Sequence, residues 1–215
     1  MHLSLIGMAG SGKSYWSKRL TERGFHRFCC DDLIEEKLAQ ELVTSEGTPL
    51  DLGSWMGLPW GPAYEDREAA YLTCEGEVLQ EILHYLTRHR GERQRVVVDT
   101  TGSVIYAPEE VLAKLRQLTT MVYLPVPLEF RKSLLQGYRS RPHPLVWRGM
   151  FRRNPGESNE HALARCYPKL VSSREQLYQH YADVRIDFYQ RRKEDFTASR
   201  FLEIVGETNA SRDRA

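Results

Sequence analysis

Eight residues constrain this chain more than any other stretch: "GMAGSGKS", from Gly7 to Ser14, directly after the apolar run "HLSLI". Gly7, Gly12, Lys13 and Ser14 stand at the spacing of a phosphate-binding loop. The glycines allow backbone conformations closed to other residues, so successive N–H groups can converge on one anion. The run before the loop reads as a strand, and "KSYWSKRLTERG" after it reads as a helix closed by Gly24. The motif requires that setting, and the helix adds the positive end of its dipole. Gly7, Ala9, Gly10, Ser11, Gly12, Lys13, Ser14 and Tyr15 are therefore the expected binders of a nucleoside triphosphate, ATP or GTP. Lys13 would reach the outer phosphates and the Ser14 hydroxyl would hold magnesium, Mg2+.

The rest of the chain alternates strand and helix. "FHRFCC", "RVVVDTTGS", "TTMVYLPVP" and "DVRIDF" read as strands. "DDLIEEKLAQELV", residues 64–89, "PEEVLAKLRQL", "LEFRKSLLQGYRS", "EHALARCYPKLVSSREQLYQHYA" and "FTASRFLEIV" read as helices. Parallel strands joined by crossover helices give an α/β class, a three-layer α/β/α fold around a five-stranded parallel sheet. Residues 1–205 are expected to form one domain and 206–215 a polar, frayed tail. Residues 44–63 break the alternation with Gly, Pro and the tryptophans Trp55 and Trp60. They read as a structured insertion, either beside a site or packed on the body. Residues 140–158 form a basic, Pro- and Gly-containing loop, the candidate lid.

Bulk properties exclude several classes of function. With 30 basic against 29 acidic residues, the formal net charge is +1, which argues against a chain built to coat nucleic acid or an anionic membrane. No apolar run approaches the ~20 residues of a membrane span, and no export signal is visible. Cys29, Cys30, Cys74 and Cys166 show no metal-site or disulfide spacing, and in a strand Cys29 and Cys30 would face opposite ways. The expectation is a cytoplasmic protein with reduced thiols, a monomer or weak dimer whose partner is a small-molecule acceptor.

Asp31 and Asp32 follow the second strand, at the sheet edge that carries the phosphate loop. A carboxylate there can take the proton of a hydroxyl and orient it toward a γ-phosphate; helix capping is the alternative use. Asp99 ends the third strand at the same edge, where a carboxylate can support magnesium, and Thr100, Thr101, Gly102 and Ser103 form the turn beyond it. Arg139, Arg141, Arg148, Arg152 and Arg153 populate the lid region. Arg141, beside Pro142, is the candidate for stabilising charge during transfer, while Arg152 and Arg153 read as solvated.

Taken in order, these motifs resemble the shikimate kinase family, within the nucleoside monophosphate kinase-like group that includes gluconate kinases. The similarity covers about residues 3 to 187. "DDLIEE" resembles the family's Asp-Glu-Leu-Ile-Glu helix start, which puts Asp31 on its substrate-hydroxyl carboxylate. "DTTGSV" lies where the family has a Thr-Gly-Gly-Gly substrate turn, and "RSRPHP" puts Arg141 on the lid arginine. "SSREQLYQHYADV" is similar to Arg-x-x-Leu-Tyr-x-x-x-Ala-Asp, which puts Arg174 on an arginine that binds a substrate anion.

Four departures accompany the resemblance, none of them in the phosphate loop. Cys29 stands where the family has the first carboxylate of Asp-x-Asp. Tyr71-Leu72 replaces a Phe-Arg clamp, and Arg67, about one turn earlier, is the candidate replacement. Thr101-Gly102-Ser103 replaces three glycines, and the insertion at 44–63 is additional. The resemblance thus implies an ATP-dependent kinase acting on an anionic or polyhydroxylated small molecule other than shikimate. Asp31, Arg67, Thr101, Gly102, Ser103 and Arg174 would contact that acceptor. Two alternatives remain at this stage: a nucleoside or nucleotide kinase, with Trp55, Trp60 and Tyr64 stacking a base, and a nucleotide-binding regulatory protein without acceptor chemistry.

Overall fold

The computed structural model describes residues 1–44 and 46–212. The elements run β1 (His2–Ile6), α1 (Lys13–Thr21), β2 (Phe25–Cys29), α2 (Cys30–Lys37), α3 (Leu52–Met56), α4 (Tyr64–Arg88), β3 (Arg95–Asp99) and α5 (Glu109–Leu118). They continue with β4 (Thr120–Tyr123), α6 (Arg131–Ser140), α7 (Asn159–Tyr181), β5 (Val184–Arg185) and α8 (Ala198–Arg212). Short 3-10 turns precede α5, α6 and α8. The five strands pair in parallel in the order β2-β3-β1-β4-β5.

Apolar alternation along the strands separates two cores. Leu3, Leu5, Val97, Val122 and Leu124 face Trp16 and Leu20 of α1 and Phe201 and Val205 of α8. Ile6, Val96, Val98, Met121 and Tyr123 face the opposite way, toward α2, α4, α5 and α7. Because side chains alternate along a strand, a continuous apolar run needs cover on both faces, and the three-layer arrangement supplies it. The register sets Cys29 beside Asp99 and Leu5 beside Asp99 on the other side, so β1, β2 and β3 end at one edge.

Several sequence expectations change in detail. α2 stops at Lys37 rather than near Val43; the chain then turns so that Leu38 and Leu42 enter the core and Val43 bridges Pro49. Cys30 opens α2 instead of extending β2. The tail is helical from Gly206 to Arg212, since one glycine with open space around it does not stop α8; residues 213–215 lie outside the described residues. α7 runs through Pro168 and is capped by Ser158, which accepts from the His161 N–H at 3.2 Å.

The insertion is folded into the main core. Asp51 caps α3 by accepting from the Ser54 N–H at 2.7 Å, and Leu52, Trp55 and Met56 are buried. Gly53 packs so close to the lid that a Cβ there would sit 2.1 Å from the Pro142 carbonyl oxygen. The lid is equally anchored: Leu145, Val146 and Trp147 are each 1% exposed. Glu68 of α4 accepts from the backbone N–H of Trp147 and, at 3.1 Å, from that of Arg148. Insertion and lid thus brace one another over the carboxyl edge of the sheet.

Candidate active site

The phosphate loop connects β1 to α1 through Gly7, Gly10 and Gly12, all with positive φ. At Gly12, φ is 98°, a conformation that costs an L-residue strain and lets α1 start with its N–H groups facing the loop. Lys13 is 7% exposed and donates to the carbonyls of Gly7 at 2.8 Å and Met8 at 3.2 Å. Burial lowers its pKa, opposed by the charges of Asp99 and Asp31. Ser14 and Tyr15 are exposed at the first turn of α1, and the buried Ser11 hydroxyl has no partner among the described residues.

A cavity of about 560 Å³ opens beside this loop, lined by Gly12, Tyr15, Arg19, Phe188, Arg191 and Arg192. Arg191 was not among the expected site residues; it is buried and donates to the carbonyls of Ser11 at 3.0 Å and Pro125 at 2.5 Å. It ties the loop to the segment after β5. The sequence offers no signal for this role, because the motif resemblance stops at residue 187.

Asp99 is buried at the end of β3, and its Oδ2 accepts from the Ser17 hydroxyl at 3.0 Å and from Arg27 at 2.7 Å. Arg27 precedes Cys29 by two residues on β2, on the same strand face, and its Nε also donates to Ser17 at 2.7 Å. Burial pushes the Cys29 thiol up to about 12, so a neutral group stands where the family has a carboxylate. The negative charge at this edge is therefore Asp99 alone among the strand-end positions, with Arg27 against it.

Across the edge, Asp31 sits in the first turn of α2, accessible to solvent yet set among protein atoms that raise its pKa. The Lys13 charge opposes that rise, and the Tyr71 hydroxyl donates to Asp31 at 3.2 Å. One turn further along α4, Glu75 is 3% exposed and accepts from the hydroxyls of Thr101 and, at 2.7 Å, Ser103. Its burial raises its pKa to about 7 against the pull of those hydroxyls and of Arg174. Sequence reading passed over Glu75, although it is a charge on the apolar stripe of Tyr71, Val78, Leu79 and Ile82.

The two expected anion-binding arginines have other partners. Arg67 donates to the Trp55 carbonyl and lies 5.7 Å from the Trp55 ring. Arg174 is 1% exposed; its Nη1 donates to the Gly102 carbonyl at 3.0 Å and its Nη2 to the Val146 carbonyl. Gly102 also accepts from the Tyr178 hydroxyl at 2.5 Å, and a Cβ at Gly102 would meet Arg174 Nη1 at 3.2 Å. Thr101, Gly102, Ser103 and Arg174 are thus brought together with Asp31 and Lys13, whereas Arg67, from α4, is held by Trp55 of the insertion. Arg141 is exposed at the end of α6, where its charge favours the Asp51 carboxylate. Arg152 and Arg153 are exposed as expected. A lid residue not anticipated, His143, faces Lys13 and Arg174; burial lowers its pKa to about 4, and its Nε2 is buried without a hydrogen-bond partner among the described residues.

No family model and no curated protein sequence matches the chain. Solved structures do match it. The shikimate kinase from Acinetobacter baumannii in complex with shikimate superposes at TM-score 0.60 and 20% identity, over 96% of this chain and 93% of that one. Shikimate kinase from Aquifex aeolicus gives 0.59 at 19% identity over 98% of each chain. Dephospho-CoA kinase from Campylobacter jejuni gives 0.54 at 14% identity, over 97% of this chain and 98% of that one. At these identities the likeness is one of fold, and it agrees with the motif resemblance: this is the three-layer P-loop kinase fold seen in shikimate kinases.

Proposed function

We propose that the protein is an ATP-dependent small-molecule kinase that transfers the γ-phosphate to a hydroxyl of a small polyhydroxylated acceptor. The observation that carries this reading is the pairing of a formed phosphate loop with an accessible carboxylate. Lys13 and Asp31 lie at one sheet edge and each shifts the other's titration. The outer phosphates would displace the Gly7 and Met8 carbonyls from Lys13, and the loop N–H groups would hold the phosphate oxygens. Tyr15, Arg19 and Arg192 border the cavity that would take the base and ribose. Magnesium, which neutralises charge on the outer phosphates, fits the exposed Ser14 hydroxyl, with Asp99 behind it held by Ser17 and Arg27.

Asp31 would accept the acceptor's hydroxyl proton and aim its oxygen at the γ-phosphate. Thr101 and Ser103, fixed by Glu75, and Gly102, fixed by Arg174, would position the acceptor, and Arg141 would approach from the lid. Of the three aromatic residues offered for base stacking, two are taken up by the core: Trp55 is 2% and Tyr64 4% exposed, and Tyr64 donates to the Leu145 carbonyl at 2.7 Å, so a nucleoside acceptor would have only the half-buried Trp60, which packs on Phe151. No described helix is long and apolar enough to cross a membrane, and the four cysteines are free thiols. ADP release measured across hydroxylated acids, polyols and nucleosides tests the reading. Asp31→Ala should lose turnover while still binding nucleotide, and equal turnover by the variant would remove Asp31 from the mechanism.

A further inference from the structure

The acceptor side has an unusual balance of polar groups. Two carboxyls, Asp31 and Glu75, come there from α2 and α4, and the charge of Asp31 adds to the burial that raises the pKa of Glu75. Among the described residues neither has an arginine or lysine within ion-pair distance. Both hydrogen bonds to Glu75 fall on Oε1, so Oε2 has no hydrogen-bond partner among the described residues. Glu75 also lines a cavity of about 480 Å³ with Glu65, Glu68, Leu72, Tyr106 and Arg148. The cavity wall thus carries three carboxylates, Glu65, Glu68 and Glu75, against the single cation Arg148.

Arg174 cannot grip a carboxylate in the bidentate way arginine favours. Both terminal nitrogens of Arg174 donate to backbone carbonyls, and its guanidinium packs 5.2 Å over the Tyr106 ring. Arg148 packs on the same ring at 5.1 Å. Two buried polar atoms on the same side of the sheet edge are also unpartnered among the described residues. They are the Nε of Arg174, a side chain only 1% exposed, and the Nε2 of His143 from the lid, neither of which has a hydrogen-bond partner among the described residues. A single N–H and a neutral imidazole suit ligand hydroxyls, whereas Glu75 Oε2 suits a donor that carries positive charge.

We propose that the acceptor is a small hydroxylated amine, an amino alcohol or amino sugar, bound with its ammonium group on Glu75 and its reacting hydroxyl on Asp31. This rests on the kinase reading and names the acceptor class for that site. A second hydroxyl would accept from Arg174 Nε–H and meet His143. The transfer balances without another reactant: the acceptor O–P bond forms, the bond from the γ-phosphorus to the bridging oxygen breaks to give ADP, and the hydroxyl proton passes to Asp31.

The test uses the full chain and sets of matched probes: glycerate, glycerol and serinol; gluconate, glucitol and glucamine. Binding is read as ligand-induced stabilisation with a non-hydrolysable ATP analogue present, and turnover as ADP release with ATP. The amines should bind best, and Glu75→Gln, which keeps an oxygen for Thr101 and Ser103 but removes the charge, should weaken amine binding roughly ten- to hundredfold. The same variant should weaken binding of the neutral polyols less than binding of the amines. Preference for the acids or the neutral polyols in the wild-type protein overturns the proposal without any variant, and leaves the kinase reading standing if ADP is released. Equal amine binding by wild type and a folded Glu75→Gln also overturns it, as does failure of every probe to bind. Amine binding that depends on Glu75 but gives no ADP supports the acceptor assignment and removes the kinase reading.

Discussion

At the residue scale, the site is governed by a few groups held away from their ordinary titration. Lys13 is buried against its own loop, so its charge is available to a phosphate without first shedding a water shell. Lys13→Ala should lower turnover by about 10²-fold or more, the range for removing one preorganised donor, with the melting temperature retained. Glu75 gives a separate, pH-dependent prediction. Its folded pKa of about 7 lies above the ordinary 4.5, so between those values the native chain holds a proton that the unfolded chain has released. That contribution to stability is full below pH 4.5 and is lost as the pH rises to about 7. His143 works the other way, since its pKa falls from 6.5 to about 4 and its contribution grows over that window. Comparing Glu75→Gln with wild type removes the His143 contribution from the difference. The variant should gain about 3 kcal/mol relative to wild type between pH 4.5 and about pH 8, read by urea unfolding. A difference that stays constant with pH would mean that Glu75 is not desolvated in the native protein.

At the scale of elements, the insertion and the lid form the least expected part of the molecule. The tryptophans announced that residues 44–63 are structured, but whether they flank a site or pack on the body depended on contacts between segments distant in the chain. The answer lies in Gly53 against Pro142 and in Glu68 beneath Trp147 and Arg148, pairings that no local pattern encodes. Arg148 shows the constraint in its backbone, with φ of 49° and its guanidinium 5.1 Å from Tyr106. Glu68→Ala removes the shared acceptor of the Trp147 and Arg148 N–H groups and of the Tyr64 hydroxyl, leaving Trp147 only Tyr64 and Tyr64 only the Leu145 carbonyl. The expected cost is about 2 kcal/mol, with faster proteolysis within 148–156. Unchanged protease resistance would show that the lid is held by Leu145, Val146 and Trp147 alone. By contrast, the loop-helix junction at Gly12–Lys13 and the opening of α2 near Asp31 were legible, because glycine spacing and acidic first turns act within a few residues.

At the scale of the whole molecule, strand and helix order was readable because continuous apolar runs and 3.6-residue stripes carry the layer architecture directly. The division of Leu3 and Leu5 from Ile6 into separate cores follows from the alternation of a strand. The acceptor side was less legible. Its specificity depends on which cations are left free once backbone carbonyls have taken theirs, and Arg67 and Arg174 lose that freedom only through tertiary contacts. Helix length was also misjudged at α8, where the chain beyond Gly206 continues as helix to Arg212. Trp16, 3% exposed between α1, Phe196 and Phe201, links the loop's helix to the second core. Trp16→Ala should cost about 3–5 kcal/mol in denaturant unfolding, and a loss below about 1 kcal/mol would show that α8 is not needed to hold α1.

The central claim is phosphoryl transfer from a nucleotide on the phosphate loop to an acceptor hydroxyl at Asp31. It is tested most directly by following ATP, ADP and the phosphorylated product together by phosphorus NMR with a panel of hydroxylated small molecules. The account predicts ADP and a new phosphomonoester in equal amounts, lost in both Lys13→Ala and Asp31→Ala. Tight ATP binding with no acceptor-dependent ADP across the panel, or a phosphomonoester formed equally well by Asp31→Ala, would contradict it.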